Sequence, residues 1–122
     1  MDAYRTLASP ASARLTQQRS RFVALVEPAT RDEVTSRLEA LRREHHEATH
    51  VCAAFRCRVG AEIEAVADDA GEPHGSAGAP ILQALEGAGL VDVLAVVVRH
   101  FGGVKLGLGG LSRAYADVTA AA

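Results

Sequence analysis

Apolar residues along this chain alternate with polar ones or run together in short stretches, and both patterns predict strands. Residues 3–8 and 13–17 are predicted as two short strands joined by a turn around ASPAS, and another strand runs from about residue 19 to 26. THVCAAFRCRV (49–59) and AEIEAVADD (61–69) predict a hairpin that turns at Gly60. VDVLAVVV (91–98) is nearly all apolar, which is typical of a strand covered on both faces.

Three further segments have helical spacing of their apolar positions. Thr30 followed by Glu33 is a capping-box pattern at the start of the first predicted helix. The second helix, about 77–88, carries Pro80 in its first turn, where proline is tolerated. A third helix follows a glycine-rich segment. The apolar stripes are Val34, Leu38 and Leu41 in the first helix and Leu111, Ala114, Tyr115 and Val118 in the last.

This order of elements predicts an α+β domain in two layers. We expect a mixed sheet of about four to six strands with helices packed mainly on one face. A chain of 122 residues is long enough to bury its own core, so residues 1–122 are predicted to form one domain.

Composition narrows the function classes. The net charge of −2 argues against a protein that coats nucleic acid by charge alone, although a local basic patch remains open. Cys52 and Cys57 would lie on opposite faces of one strand, which suits reduced thiols in a cytoplasmic protein. No segment reaches the ~20 apolar residues of a membrane span, and the N-terminus lacks a signal-peptide pattern.

A glycine-rich segment between the apolar strand and the last helix is the first candidate site. Strand, glycines and helix start in this order expose unpaired backbone N–H groups at the positive end of a helix, which is an arrangement that suits anions. Tight turns and close helix–sheet packing explain the glycines equally well. The candidate phosphate-binding residues are Arg99, His100, Gly102, Gly103, Lys105, Gly107, Gly109, Gly110 and Arg113.

The segment DDAGEPHGSAGAP is the second candidate site. Its carboxylates Asp68, Asp69 and Glu72 could bind Mg²⁺ or form an acid–base pair. Asp, Gly, Pro and Ser are also the usual turn formers and helix caps. A third alternative is that these acids pair with Arg99 or Lys105 across the sheet.

Histidines and cysteines give no further site. His45, His46 and His50 lie near Cys52, but no additional ligands follow at suitable spacing, so packing roles are favoured. The chain has no G-x-S-x-G nucleophile turn, and neither cysteine has the context of an activated thiol. We therefore assign no catalytic residue, no metal ligand and no cofactor.

Four segments nevertheless resemble a known family. SRFVA, HHEATHVCAAFR, DDAGEPHGSAGAPIL and VVVRHFGGVKLGLGGLSRAYADV are similar, in order, to the signature segments of the IMPACT/YigZ family, over about residues 20–118. The family forms are near A-x-H-x-C-x-A, D-D-G-E-P-x-G-T-A-G-x-P-I-L and R-Y-F-G-G-x-K-L-G-x-G-G-L-x-R-A-Y. This chain differs from the family forms at four positions. Ala70 is an insertion relative to them, Ser76 replaces Thr, His100 replaces Tyr, and Val51 stands where Asn is frequent.

The resemblance implies a fold shared with GHMP kinases and a small-subunit ribosomal protein domain, with a left-handed βαβ unit. Bacterial members usually continue into a second, ferredoxin-like domain, which this sequence does not contain. Eukaryotic relatives restrain the amino-acid-starvation kinase that acts on translation initiation. No enzymatic activity is firmly attached to the family.

We therefore expect a non-catalytic, translation-associated module that binds RNA, the ribosome or a nucleotide through loop 102–113. The first alternative is a regulatory domain that binds a protein through the two loops. The second alternative is a small metal-dependent hydrolase or phosphotransferase that uses Asp68, Asp69 and Glu72. No membrane partner is expected, and the oligomeric state stays open.

Overall fold

A computed structural model describes residues 4–122, which form one five-stranded sheet and three helices. The order of strands in the sheet is β1-β2-β5-β3-β4. The strands are β1 Ala11–Gln17, β2 Ser20–Pro28, β3 His50–Val59, β4 Glu62–Asp68 and β5 Val93–His100; the helices are α1 Arg31–Glu44, α2 Gly78–Gly87 and α3 Gly107–Ala121. The predicted α+β class is confirmed.

All four pairings between these strands are antiparallel, so the expectation of a mixed sheet is corrected. The reason is the placement of β5 between β2 and β3. Both neighbours run antiparallel to β5 and hence parallel to each other, and α1 connects them. This is a split βαβ unit, in which the two parallel strands are not hydrogen-bonded to each other. The left-handed crossover expected for this unit stays a prediction.

The central strand β5 is buried on both faces, as its apolar run predicts. Val93, Ala95 and Val97 face a core shared with α2 and α3. Leu94, Val96 and Val98 alternate with them and face a smaller core under α1. Two helices thus cover one face, in agreement with the prediction, and α1 adds a partial third layer on the other face.

The N-terminal hairpin differs from its prediction. Strand β1 begins at Ala11 and pairs with β2 through a two-residue turn at Gln18 and Arg19, both of which have positive φ. Residues 4–8 form no strand, although Arg5 makes a single bridge to Leu90. The start of the predicted first strand, residue 3, lies outside the described residues. The turn was missed because it contains neither Gly, Asn nor Asp, which usually mark such a turn.

Local helix signals in the sequence agree with the structure. Glu33 Oε1 accepts hydrogen bonds from the backbone N–H of Thr30 (2.9 Å) and from its hydroxyl (3.0 Å), which confirms the capping box. The last helix buries its predicted stripe, including Tyr115. No helix within residues 4–122 is long and apolar enough to cross a lipid bilayer.

Candidate functional site

The two sequence motifs meet at one pocket of about 420 Å³. The loop after β4 contributes Glu72, and the end of β5 contributes Arg99 and Phe101. Lys105 and Leu108 contribute from the glycine-rich loop and the first turn of α3. Topology creates this meeting, because β5 and β3 are adjacent and the loops that follow β4 and β5 lie at the same end of the sheet.

A buried ion pair forms the floor of the pocket. The Arg99 Nη1 atom lies 2.6 Å from Glu72 Oε2, and the two side chains are only 6% and 3% exposed. The second amino group of Arg99 donates to the fully buried Ser20 hydroxyl at 3.2 Å. Glu72 also accepts a hydrogen bond from the Tyr115 hydroxyl, and its other oxygen lies 3.3 Å from His50 Nε2. Pairing between the acidic loop and Arg99 was one of the sequence alternatives, and it is confirmed.

Neither the tyrosine hydroxyl nor the thiol in this floor is activated for chemistry. Burial, the neighbouring Cys52 and Glu72 raise the pKa of Tyr115, so its hydroxyl stays protonated and donates to the carboxylate. Burial raises the pKa of the Cys52 thiol to about 12, and the thiol donates to the Asp69 carbonyl at 3.1 Å. The floor is therefore a fixed hydrogen-bond network around Glu72.

Two aromatic rings lie against the guanidinium of Arg99. Its Cζ atom lies 5.5 Å from the ring centroid of Phe22 and 5.4 Å from that of Phe101. Phe22 is fully buried and meets the Tyr115 ring edge-on at 5.2 Å. Phe101 is 45% exposed, while its backbone N–H is fixed by the Thr49 hydroxyl at 2.9 Å. One of the two rings is therefore buried and the other is half exposed.

The five glycines of the glycine-rich segment occupy structurally different positions. A Cβ atom on Gly102 would lie 2.1 Å from the backbone carbon of Arg19, so the β1–β2 turn packs directly on this glycine. A Cβ on Gly109 would meet nothing within 4 Å, and its φ is that of an ordinary helical residue. The remaining three are Gly103 and Gly107, which have positive φ, and Gly110, which faces the Leu106 side chain. The packing interpretation therefore accounts for Gly102 but leaves Gly109 unexplained.

The predicted basic residues separate in space. Lys105 lines the pocket, and Arg113 lies further along α3; both are exposed and neither forms an ion pair among the described residues. Within residues 4–122, no side chain caps the start of α3, so the N–H groups of its first turn lack a side-chain acceptor there. His100 is not brought to this pocket. It lines a groove of about 540 Å³ on the other face of the sheet, together with His45.

The three acidic residues also separate. Asp68 pairs with Arg42 at 2.8 Å, and this hydrogen bond holds the pKa of Asp68 below its usual value. Asp69 accepts backbone N–H groups around the start of α2, from Gly75, Ala77 and Gly78. Within residues 4–122, no three His, Cys, Asp or Glu side chains are grouped to hold a metal ion. The geometry gives each carboxylate of this loop a structural partner of its own.

Replacement of Asp69 by Ala tests its role as a cap. Burial opposes ionisation, but the three N–H bonds outweigh it and hold the pKa of Asp69 below its usual value. We expect the substitution to lower the free energy of unfolding by about 0.5–2 kcal/mol near pH 7, and urea unfolding measures this change. A lowered pKa adds stability above the usual Asp value of about 4, so the difference from wild type should shrink as pH falls below it.

The control for this prediction is Asp117→Ala, since Asp117 is exposed on α3. This variant should unfold like wild type. Addition of Mg²⁺ to wild type should leave the melting temperature unchanged. A magnesium-dependent rise that disappears in Asp69→Ala would instead support the metal site.

Several residues of the pocket were not identified from the sequence. Ser20 was only the start of a predicted strand, and Tyr115 was only part of an apolar stripe. His50 was interpreted as a packing residue, although it lies beside Glu72. A tyrosine within an apolar stripe needs a partner for its hydroxyl. That requirement is the signal that could have linked Tyr115 to an acidic residue elsewhere.

Comparison with known proteins agrees with this description. The Impact N-terminal domain model matches residues 18–122, so the chain belongs to the IMPACT family. The chain is 38% identical over 116 residues to the IMPACT family member YvyE of Bacillus subtilis, covering 94% of this chain and 53% of that protein. It is 35% identical over 117 residues to the IMPACT family member YigZ of Escherichia coli, covering 94% and 57%. The chain thus spans about half the length of these curated relatives.

Solved structures show the same fold. A crystal structure described as a hypothetical protein superposes with a TM-score of 0.85 at 35% identity, covering 92% of this chain and 55% of that one. The two-domain translational regulator Yih1 superposes with a TM-score of 0.57 at 21% identity, covering 93% of this chain and 48% of that one. The second likeness is one of fold alone.

Proposed function

We propose that this chain is a translation-associated regulatory module that binds RNA or a nucleotide at the pocket between its two loops. The observation that carries the proposal is the pocket itself. A half-exposed phenylalanine, a lysine and the start of a helix surround its neutralised floor, and neither the lysine nor the helix start has a side-chain partner within the described part of the chain. Phosphate is favoured at a helix start and beside a lysine. A base needs an apolar or aromatic surface.

The charge of the pocket suits an anionic ligand. Arg99 and Glu72 neutralise each other in the floor, which leaves Lys105 as the charge at the rim. Arg113 extends the positive charge along α3. A local basic surface of this kind is compatible with the overall charge of −2.

The link to translation rests on the fold and the family. Yih1, which shares the fold, is described as a two-domain translational regulator. The resemblance of the two motifs to the IMPACT/YigZ family also implies a role in translation. A non-catalytic role is supported by the contacts of Glu72, whose two oxygens are already engaged by Arg99, Tyr115 and His50. A catalytic acid or base needs a free position toward its substrate.

The proposal predicts weaker RNA binding when the positive charges are reversed. A Lys105→Glu/Arg113→Glu variant should bind a short single-stranded RNA more weakly at every salt concentration tested. The slope of log K against log salt should also fall, by about 0.7 for each phosphate that the variant no longer neutralises. Fluorescence anisotropy over a salt series measures both quantities.

The matched control is Arg14→Glu/Arg43→Glu. It changes the net charge by the same amount, but Arg14 lines the groove on the other face of the sheet and Arg43 is exposed on α1. Wild-type binding with a flat salt dependence would contradict the proposal. So would equal losses in the two double variants, since global charge would then explain the effect.

Exposed apolar residues favour a second candidate function, the binding of a protein partner. Leu108 is 62% exposed and lines the same pocket as Phe101, and Val104, which is 39% exposed, belongs to the same glycine-rich segment. An exposed apolar cluster with a polar rim is typical of protein interfaces. Capture of a partner that survives nuclease treatment and is lost in Leu108→Asp would favour this candidate over RNA.

A further inference from the structure

Phe101 is an apolar side chain that the fold holds in place at the surface. The residue is 45% exposed, although full burial of a phenylalanine side chain stabilises a protein by about 1.5–3 kcal/mol. The backbone of Phe101 is fixed to the Thr49 hydroxyl, and its ring lies against the guanidinium of Arg99. The backbone of Phe101 is therefore anchored, and its ring has a contact with Arg99 on the protein side.

The support behind Phe101 is unusually rigid. Arg99 is held by Glu72 and by Ser20, so its guanidinium has little freedom to rotate. Phe22 also lies against the guanidinium and is itself packed edge-on against Tyr115. Arg99 thus contacts both a buried ring, Phe22, and the half-exposed Phe101, which lines the pocket.

We propose that Phe101 is a stacking platform for the base of one unpaired nucleotide. The inference rests on the proposed function and names the part of the ligand that the pocket recognises. Every nucleobase has a π face that stacks on an aromatic side chain, irrespective of sequence. Lys105 lies in the same pocket and supplies the positive charge for the adjoining phosphate.

The volume of the pocket and the need for a free base face favour an unpaired base. A volume of about 420 Å³ falls in the range of small-molecule sites, about 300–1,000 Å³. Bases within a duplex already stack on their neighbours, so only an unpaired base can present a free face to the ring. The site should therefore bind single-stranded RNA of any sequence and discriminate against duplex RNA.

The test uses a short single-stranded RNA that carries one 2-aminopurine, whose fluorescence is quenched on stacking. Wild type should quench it, and Phe101→Tyr should retain both the quench and the affinity. Phe101→Leu keeps an apolar side chain but removes the π face. It should abolish the quench and weaken binding about 5-fold or more, up to about 150-fold. Phe101→Tyr should keep the wild-type melting temperature, and Phe101→Leu, which loses the contact of the half-exposed ring with Arg99, should stay folded with a melting temperature lowered by no more than a few degrees.

The control is Tyr4→Leu, which removes an aromatic ring from a residue that is 48% exposed and does not line the pocket. It should leave the quench intact. Single-stranded RNA binding without a quench, or with equal affinity in Phe101→Leu, would overturn the stacking platform while the proposed function survives. No binding of RNA or nucleotide by wild type would overturn both. A protein ligand whose capture depends equally on Phe101 and Leu108 would assign the surface to a protein partner instead.

Discussion

Replacement of Glu72 by Ala is expected to lower the free energy of unfolding by about 3–5 kcal/mol, because it leaves a buried charge without a partner. Glu72 and Arg99 are 3% and 6% exposed, so solvent screens the remaining charge only weakly. The Tyr115 hydroxyl loses its acceptor at the same time. A buried donor without an acceptor adds a cost of its own. Urea unfolding followed by circular dichroism measures the change.

Two further variants separate the effect of the buried charge from a general weakening of side-chain packing. Glu64→Ala removes a carboxylate from the solvent-exposed pair Arg31–Glu64, so only a small loss of stability is expected. Glu72→Leu/Arg99→Met removes both buried charges and should recover part of the stability that Glu72→Leu loses. Equal losses in Glu72→Ala and Glu64→Ala would mean that the ion pair is not buried in solution.

The fold could be predicted largely from the sequence, because its strongest signals come from burial. The apolar run of β5 required cover on both faces, and the structure provides it. The direction of strand pairing could not be predicted, since nothing in the sequence places β5 between β2 and β3. The β1–β2 turn was missed because Gln18 and Arg19 are not residues that usually adopt positive φ.

The candidate site was predictable only as separate parts. Both loops were identified, but their meeting depends on the strand order. Arg99 and His100 were grouped although they are neighbours on one strand. Side chains that are adjacent in a strand point to opposite faces, and this is why only Arg99 reaches the pocket. Phe101 was overlooked because an apolar residue in a motif gives no chemical signal until its exposure is known.

Replacement of Gly102 by Ala should have the second large effect: we expect it to lower the free energy of unfolding by about 1–3 kcal/mol or more. The new methyl group would lie 2.1 Å from the backbone carbon and 2.2 Å from the carbonyl oxygen of Arg19. Relief requires the tip of the β1–β2 hairpin to move. Ser20 follows the turn directly, and its hydroxyl accepts hydrogen bonds from both Arg99 and the Gly102 N–H. The clash therefore disturbs the floor of the pocket as well as the hairpin.

Gly109→Ala is the matched control, because the same change in the same segment meets nothing within 4 Å. Alanine is a better helix former than glycine, so the free energy of unfolding of this variant should rise by about 0.5–1 kcal/mol. Thermal and urea unfolding of both variants give the comparison. A Gly102→Ala protein as stable as wild type would show that the hairpin does not rest on the glycine-rich loop in solution. Opposite signs for the two substitutions would show that the glycines of this loop serve separate purposes, of which close packing is one.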